Sequence, residues 1–471
     1  MDTDIGALTV IFTEFYYWLT VALMFLIHVG FCMYEVGASR QKNMMHTLMK
    51  NTMLIPLVTV TFFFFGWWIY FAFPNGPFIF EGKGLIAAPW AVPWSELMGP
   101  NLGGTPVSPD ITPDDGAFWA RINGVFWAAF LLFSWTAASI ISGAVIERVR
   151  SAAFWAVAVL VGSVTWIIDA AWGWHPDGWM VKLLGYHDAY ASGVIHAVAG
   201  GAALGMLVHL GPRIGKFRKD GSPRDIVPHN PWLVTIGLFL IYTGFWGFYV
   251  ACNVPIIAAT DIGASGPTFT ATTIYLTPTT LSAITVNFLM SLSGGLMAGY
   301  VVSKGDAFWT YSLGLAGIIT ASAGNDLYHP IQAMFVAVIG AVIAYKLHYW
   351  VERRFKLDDA VGAVAVHGYA GFAGVVIAGF VLWGYPSSGF EGYATISPWG
   401  QFIGAVIMFA VLGFLPSWIL CGILKKMDLL RIPAQIELAG LDLGDYHGRY
   451  LTESEVFEAE LKEARETGLI R

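Results

Sequence analysis

Stretches of about 20 mainly apolar residues, each long enough to cross a bilayer as a helix, recur from one end of this chain to the other. They limit the fold more than any other feature, because in hydrocarbon only helices and closed barrels satisfy their own backbone. Windows of this length place roughly eleven spans, near residues 14–38, 48–72, 120–145, 152–174, 188–210, 231–252, 276–302, 307–324, 330–350, 359–383 and 398–423. Composition agrees. Of 471 residues only 12% are charged and 56% are hydrophobic, against about 25% charged in soluble domains. The expected class is an all-α membrane protein of eleven transmembrane helices.

The residues between spans set the threading. One set of loops carries Arg40 and Lys42, Arg148 and Arg150, the cluster Arg213, Lys216, Arg218, Lys219 and Arg224, then Lys304, Arg353, Arg354, Lys356, Lys425, Lys426 and Arg431. The alternate loops hold only Lys83, Arg121 and Lys182. Basic loops stay on the cytoplasmic side, so the N-terminus is expected outside and the C-terminus inside, in a cytoplasmic or inner membrane. Residues 1–4 lack the basic start of a signal peptide, and the first span is expected to insert uncleaved. The basic residues lie in short clusters between spans, which argues against nucleic-acid binding. Cys32, Cys252 and Cys421 are too scattered for a disulfide framework or a zinc site.

Two segments match across the chain. One reads Asp188-Ala-Tyr-Ala-Ser-Gly-Val-Ile-His196 and continues Ala-Val-Ala-Gly-Gly-Ala; the other reads Asp359-Ala-Val-Gly-Ala-Val-Ala-Val-His367 and continues Gly-Tyr-Ala-Gly-Phe-Ala. The first span starts outside and the second inside, five spans apart, which predicts an inverted repeat of spans 1–5 and 6–10 with the eleventh added. In such folds the substrate site lies near the midplane between repeats. A lone histidine in a membrane helix often only bonds a neighbouring helix; the matched contexts of His196 and His367 favour function. Each neutral imidazole has one donor and one acceptor nitrogen, so two facing rings can share a hydrogen bond, receive a small polar molecule, or pass a proton. Asp188 and Asp359 are expected to cap their helices, and Asp188 also to make the entrance negative.

Trp172, Trp174, Trp179 and Tyr186 form an aromatic belt by default. Trp172, at the end of span 4, is singled out for cation–π contact with an entering ion. Glu35 and Asp169 read first as structurally paired carboxylates, with Arg40 a partner for Glu35. The turn at Asp326 and His329 lacks metal-ligand spacing. The loops Phe73–Asp115 and Tyr385–Trp399 read as vestibule walls. Residues 1–423 form the transmembrane domain and 424–471 a cytoplasmic tail, with a charged helix over Thr452–Thr467 opened by a capping box at Thr452–Glu455.

These residues resemble the ammonium transporter family (Amt/Mep/Rh), on its Amt side, over nearly the whole chain. The resemblance rests on Gly30-Phe-Cys-Met-Tyr-Glu-Val-Gly-Ala-Ser-Arg40-Gln-Lys-Asn43, on Gly143-Ala-Val-Ile-Glu147-Arg148, on the Asp188–His196 segment ending at Gly211-Pro-Arg213, on Pro228-His-Asn230, on Asp358-Asp359 with Val366-His367-Gly368, and on Gly440-Leu-Asp-Leu with His447-Gly448. It implies a homotrimer with one pore per subunit, His196 and His367 as the pore pair, Asp188 as a recruiting aspartate and Trp172 at the outer site. It also implies Phe133, with Phe130 as the alternative, and Phe248 as gate rings. Cys252 stands where the family has an outer-site serine, Tyr249 replaces an asparagine, and Asp169 replaces a histidine. Ammonium and methylammonium are the implied substrates, with a lipid bilayer around the protein and a cytoplasmic PII-type regulatory protein as a further partner. No cofactor, metal or enzymatic activity is expected. Two other readings are an ammonium-binding sensor that signals through its tail, and a redox protein whose histidines hold haem. The second would need a wide cleft, against helices rich in close-packing small residues.

Overall fold

A computed structural model of the chain describes residues 2–76, 93, 116–258, 268–274, 277–446, 462 and 465–467. Among them, ten helices are long and apolar enough to span a membrane: α1 (Ile11–Ala38), α2 (Gln41–Ala72), α3 (Gly124–Ala144), α4 (Ser151–Gly173), α5 (Ser192–Leu210), α6 (Pro231–Ala251), α7 (Leu281–Val302), α9 (Pro330–Phe355), α10 (Val364–Val381) and α11 (Pro398–Lys426). The shorter apolar helix α8 (Ala307–Ala321) occupies the eighth expected span. The starts follow local chemistry. Asn230 Oδ1 accepts from the N–H groups of Trp232 and Leu233 ahead of α6, Asp306 Oδ1 accepts from Trp309 N–H ahead of α8, and Ser397 Oγ accepts from Gly400 N–H ahead of α11. Such caps fill orphan donors of the first turn.

Residues 277–280, expected in span 7, are not helical. Pro278–Thr279 form strand β3, which pairs antiparallel with β2 (Thr268–Thr273), itself paired with β1 (Asn253–Ala258). Thr280 then accepts a hydrogen bond from Ala283 N–H and starts α7. The expected loop at 73–115 falls largely outside the described residues, as does the predicted capping box at 452–455.

Corresponding helices of the two halves cross on glycine. A Cβ on Gly30 of α1 would lie 2.5 Å from Gly237 O of α6, and one on Gly200 of α5 would lie 2.2 Å from Gly368 Cα of α10. Only glycine permits both approaches. The second crossing sets α5 and α10 backbone to backbone, one turn past His196 and at the residue after His367.

After Lys426 the chain returns to the bundle. Ile432 N–H donates to Arg148 O, Arg431 donates to Leu210 O and Pro212 O, and Glu437 Oε1 accepts from Ile214 N–H. Helices α12 (Ala434–Ala439) and α13 (Leu441–Tyr446) follow. Asp442 accepts from the N–H groups of Met45 and His46 at the start of α2. Beneath lies a buried ionic cluster. Arg213 Nε is 2.8 Å from Asp358 Oδ2 and its Nη1 is 3.3 Å from Glu147 Oε2. Burial alone would raise both carboxyls; Arg213, with Arg148 at Asp358 and Arg40 at Glu147, outweighs it and holds both below the usual carboxylate range. Arg40, expected beside Glu35, therefore belongs to Glu147. Glu35 instead accepts from Asn51 Nδ2 at 2.9 Å and Ser142 Oγ at 2.5 Å, with Lys50 Nζ at 3.8 Å.

Candidate functional site

The two halves build their central helices alike. Asp188 accepts backbone N–H bonds from Ser192, Gly193 and Val194 at 2.7, 2.8 and 2.9 Å. Asp359 does the same for Ala363, Val364 and Ala365. Ala191 and Gly362, each five positions before its histidine, both have a left-handed φ of 74°. Each helix then opens with a wide π-helical turn, Ser192–Ala197 and Val364–Tyr369, that contains the histidine. Such turns often mark functional sites.

The rings of His196 and His367 meet, with Nδ1 to Nδ1 at 3.0 Å, and both are buried. A hydrogen bond between like nitrogens needs a proton on one of them alone. When both rings are neutral, one Nε2 remains a donor and the other an acceptor. His196 Nε2 is buried without a protein partner, so the pair keeps a polar group toward its surroundings.

Aromatic rings close the Asp188 side. Phe248 lies over His196 with centroids 5.7 Å apart, and Phe133 meets Phe248 edge-on at 4.8 Å. Phe130, the alternative gate ring, packs instead on Tyr70 and Trp67. Of the tryptophans at the end of α4, Trp174 reaches Phe133, at 5.3 Å, with Trp166 farther along the helix at 6.5 Å, and Trp174 Nε1 donates to Asp188 O at 2.7 Å. Trp172 packs on Trp179 at 5.7 Å. The two are neighbours in a Trp-Gly-Trp sequence, so the turn that ends α4 decides which ring points inward; helix periodicity alone did not reveal it. Cys252 is buried and its thiol lies 3.2 Å from Phe248 O, back along its own helix. Tyr249 Oη is 2.6 Å from Ser322 Oγ, and its ring stacks on Tyr190 at 4.3 Å. Asp169 is fully buried, and among the described residues neither of its oxygens has a hydrogen-bond partner.

On the Asp359 side, Phe31 flanks His367 at 6.4 Å. A cavity of about 20 Å³ lined by Phe31, Tyr34, Ile140, Ser312 and His367 follows, enough for one water-sized molecule. Tyr34 closes it, donating to Val361 O at 3.1 Å. Beyond is a wider polar cavity of about 370 Å³ lined by Phe308, Trp309, His348, Asp359 and Lys216, among others. On this side the paired histidines thus border a small cavity of mixed lining, with a wider polar cavity past Tyr34. Among the described residues no cluster of His, Cys, Asp or Glu could hold a metal ion.

Comparison with known proteins agrees. A profile of the Ammonium Transporter Family matches residues 15–450. The chain is 29% identical to Ammonium transporter Amt2 of Archaeoglobus fulgidus over 454 residues, covering 90% of this chain and 85% of that one. It is also 29% identical to Ammonium transporter Amt2 of Methanocaldococcus jannaschii over 428 residues, covering 90% and 87%. Among solved structures, a Sensor Amt Protein superposes with a TM-score of 0.70 at 22% identity over 93% of this chain and 99% of that one. Saccharomyces cerevisiae Mep2 does so with 0.66 at 16% identity over 90% and 88%. These two likenesses bear on the fold. With the profile spanning nearly the whole chain, the protein belongs to the ammonium transporter family.

Proposed function

We propose that this chain carries ammonium nitrogen across the membrane as ammonia, past His196 and His367. The observation that carries the reading is the contact between two buried imidazoles, Nδ1 to Nδ1 at 3.0 Å, with Phe248 over His196 and Phe133 edge-on to Phe248. A bare cation there would cost at least several kcal/mol in lost hydration, whereas neutral ammonia would not. Ammonium gathers where Asp188 makes the entrance negative, with Trp174 and Trp172 as the nearby indoles and Cys252 at the end of α6. It gives its proton to solvent water at the mouth before the Phe133 and Phe248 rings part. Ammonia then exchanges hydrogen bonds with His196 Nε2, and the shared Nδ1 proton changes rings only when one Nε2 gives up a proton and the other gains one in the same step, which keeps both rings neutral. Tyr34 and the polar cavity beyond release the molecule.

The basic loops place the Asp359 end and the tail of residues 424–471 in the cytoplasm, within an inner or cytoplasmic membrane. Apolar rings exposed on the outer helices, such as Trp18, Phe239 and Phe335, suit lipid and the faces of a homotrimer. The docked tail is the surface on which a PII-type protein would act. Methylammonium is the natural tracer.

Reconstitution in proteoliposomes tests this, with isotope uptake and current measured together. The His196→Ala, His367→Ala double variant is expected to fold and to lose uptake or change selectivity. Wild-type uptake by that variant would remove the pair from the mechanism. A sensing role draws support from the tail, which binds the last carbonyls of α5 through Arg431. It predicts ammonium binding without uptake in the same assay.

A further inference from the structure

We infer that His187 is a positioning residue for Asp188: an imidazolium that clamps the loops around the mouth while protonated and loosens them when it loses its proton. The inference rests on the transport reading above and adds a pH-sensitive element to it.

His187 immediately precedes Asp188 and is fully buried. Its backbone is held at both ends by one side chain: its N–H donates to Gln401 Oε1 at 2.8 Å, and its carbonyl accepts from Gln401 Nε2 at 2.6 Å. Its ring reaches two further segments. Nε2 lies 3.1 Å from Asp326 Oδ1, in the turn after α8, and Nδ1 lies 3.4 Å from the carbonyl of Ser387, in the loop before α11. A backbone carbonyl and an ionised carboxylate only accept. A neutral imidazole has one N–H and can fill one of these bonds; filling both takes the imidazolium. The geometry therefore assigns a buried ion pair, His187 with Asp326.

The clamp matters because its partners also fix the pore entrance. The turn that carries Asp326 binds the segment after His187 through Ala189 N–H to Ala323 O at 3.1 Å and Tyr190 N–H to Ser322 O at 3.0 Å. Ser387 O also accepts from Thr277 Oγ1 at 3.2 Å, and Ser387 Oγ donates to Ala394 O at 2.7 Å. Among the described residues, the charged groups acting on the ring are Asp326 across the turn and Asp188 on its own segment, while Tyr190 and Tyr328 lie within reach of Asp326. Gln401 on α11 is neutral, and Lys182 nearby in the fold is committed to Asp177 at 2.7 Å.

Burial alone would lower the imidazole; the Asp326 carboxylate outweighs it and holds His187 above the ordinary histidine range. The sign follows. The stabilisation is complete on the acid side of that range and is lost as pH rises through the raised value. The mouth should hold in mild acid and loosen in alkali.

The experiment uses full-length protein in proteoliposomes, with pH equal on both faces and ammonium-ion concentration held constant. Methylammonium uptake and thermal unfolding are followed across the same pH range for wild type, His187→Gln and Asp326→Asn. Wild-type uptake and melting temperature are expected to fall together in alkali through one protonation step, uptake by several-fold. His187→Gln should be low and flat through that step. Asp326→Asn should move the midpoint to lower pH. A midpoint unchanged in both variants overturns the clamp. If His187→Gln does not fold, the Asp326→Asn midpoint decides. Absence of uptake by the wild type at every pH would sink the transport reading, while the melting midpoint would still judge the clamp.

Discussion

Two carboxylates near the mouth differ in how their oxygens are met. Asp188 is saturated by three backbone N–H groups and Tyr186 Oη at 3.2 Å. Asp169 is fully buried and, among the described residues, has a partner on neither oxygen. An unmet buried polar group costs about 1–3 kcal/mol, and a charge costs more. Asp169→Leu, which keeps the branched shape and removes both unmet oxygens, should therefore raise stability by about 1–3 kcal/mol in thermal unfolding; a lower melting temperature would reveal a partner that the fold depends on. Asp188→Asn should do the opposite. One amide oxygen cannot replace two carboxylate oxygens toward three N–H donors, and the negative charge is lost. Stability should drop by about 1–2 kcal/mol and uptake fall sharply while the protein still folds. Uptake equal to wild type would leave Asp188 as a structural cap.

At the scale of elements, α5 and α10 are the same device built twice, and their differences can be tested. Both need a left-handed residue before the π-turn, yet one has Gly362 and the other Ala191. A residue with a Cβ is strained there by about 1–2 kcal/mol. Ala191→Gly should recover about 1 kcal/mol of this, less the entropy glycine gains in the unfolded chain. Gly200→Ala should do the reverse, because its Cβ would lie 2.2 Å from Gly368 Cα and no flexible side chain can yield. Pushing these helices apart also parts the histidines, so this variant should lose both melting temperature and uptake. A neutral Gly200→Ala would mean that the crossing is looser than the contact implies. The Asp-to-His spacing and the small residues were legible in the sequence. The left-handed turn was not, since alanine there carries no local signal.

At the scale of the whole molecule, the ionic cluster of Arg213, Glu147 and Asp358 ties together the ends of α3, α5 and α10, beside the point where the tail binds Arg148, Leu210 and Pro212. Both carboxyls sit below the usual carboxylate range, so their contribution is present above that range and lost as pH falls through the depressed values. Acid should unfold this end only well below mild acidity. Arg213→Gln leaves two buried carboxylates short of a partner and should cost about 3–5 kcal/mol, with acid unfolding moved to higher pH. Melting curves across the acid range check this, and an acid limb unchanged in the variant would mean that the cluster does not hold these helix ends. Arg40 illustrates what sequence distance hides. Glu35 is its near neighbour along the helix, but the chain between α1 and α2 turns the guanidinium toward Glu147, and Glu35 is met instead by Asn51, Ser142 and Lys50.

The spans, their number and the matched histidines were fixed by sequence, because hydropathy over about 20 residues is a local property that the bilayer reads directly. Phe133 and Phe248 could likewise be named from their place in long motifs. Only the tertiary structure decided which tryptophan, Trp174 or Trp172, faces Phe133, that residues 278–279 join a sheet before α7 begins, that the tail docks back on the bundle, and that His187 meets Asp326. Apart from the pairing of β3 with β2, whose partners lie only six to eight residues apart, each of these depends on contacts between segments far apart in the chain, set by packing and by buried polar groups seeking partners. No window of sequence contains both members of such a pair.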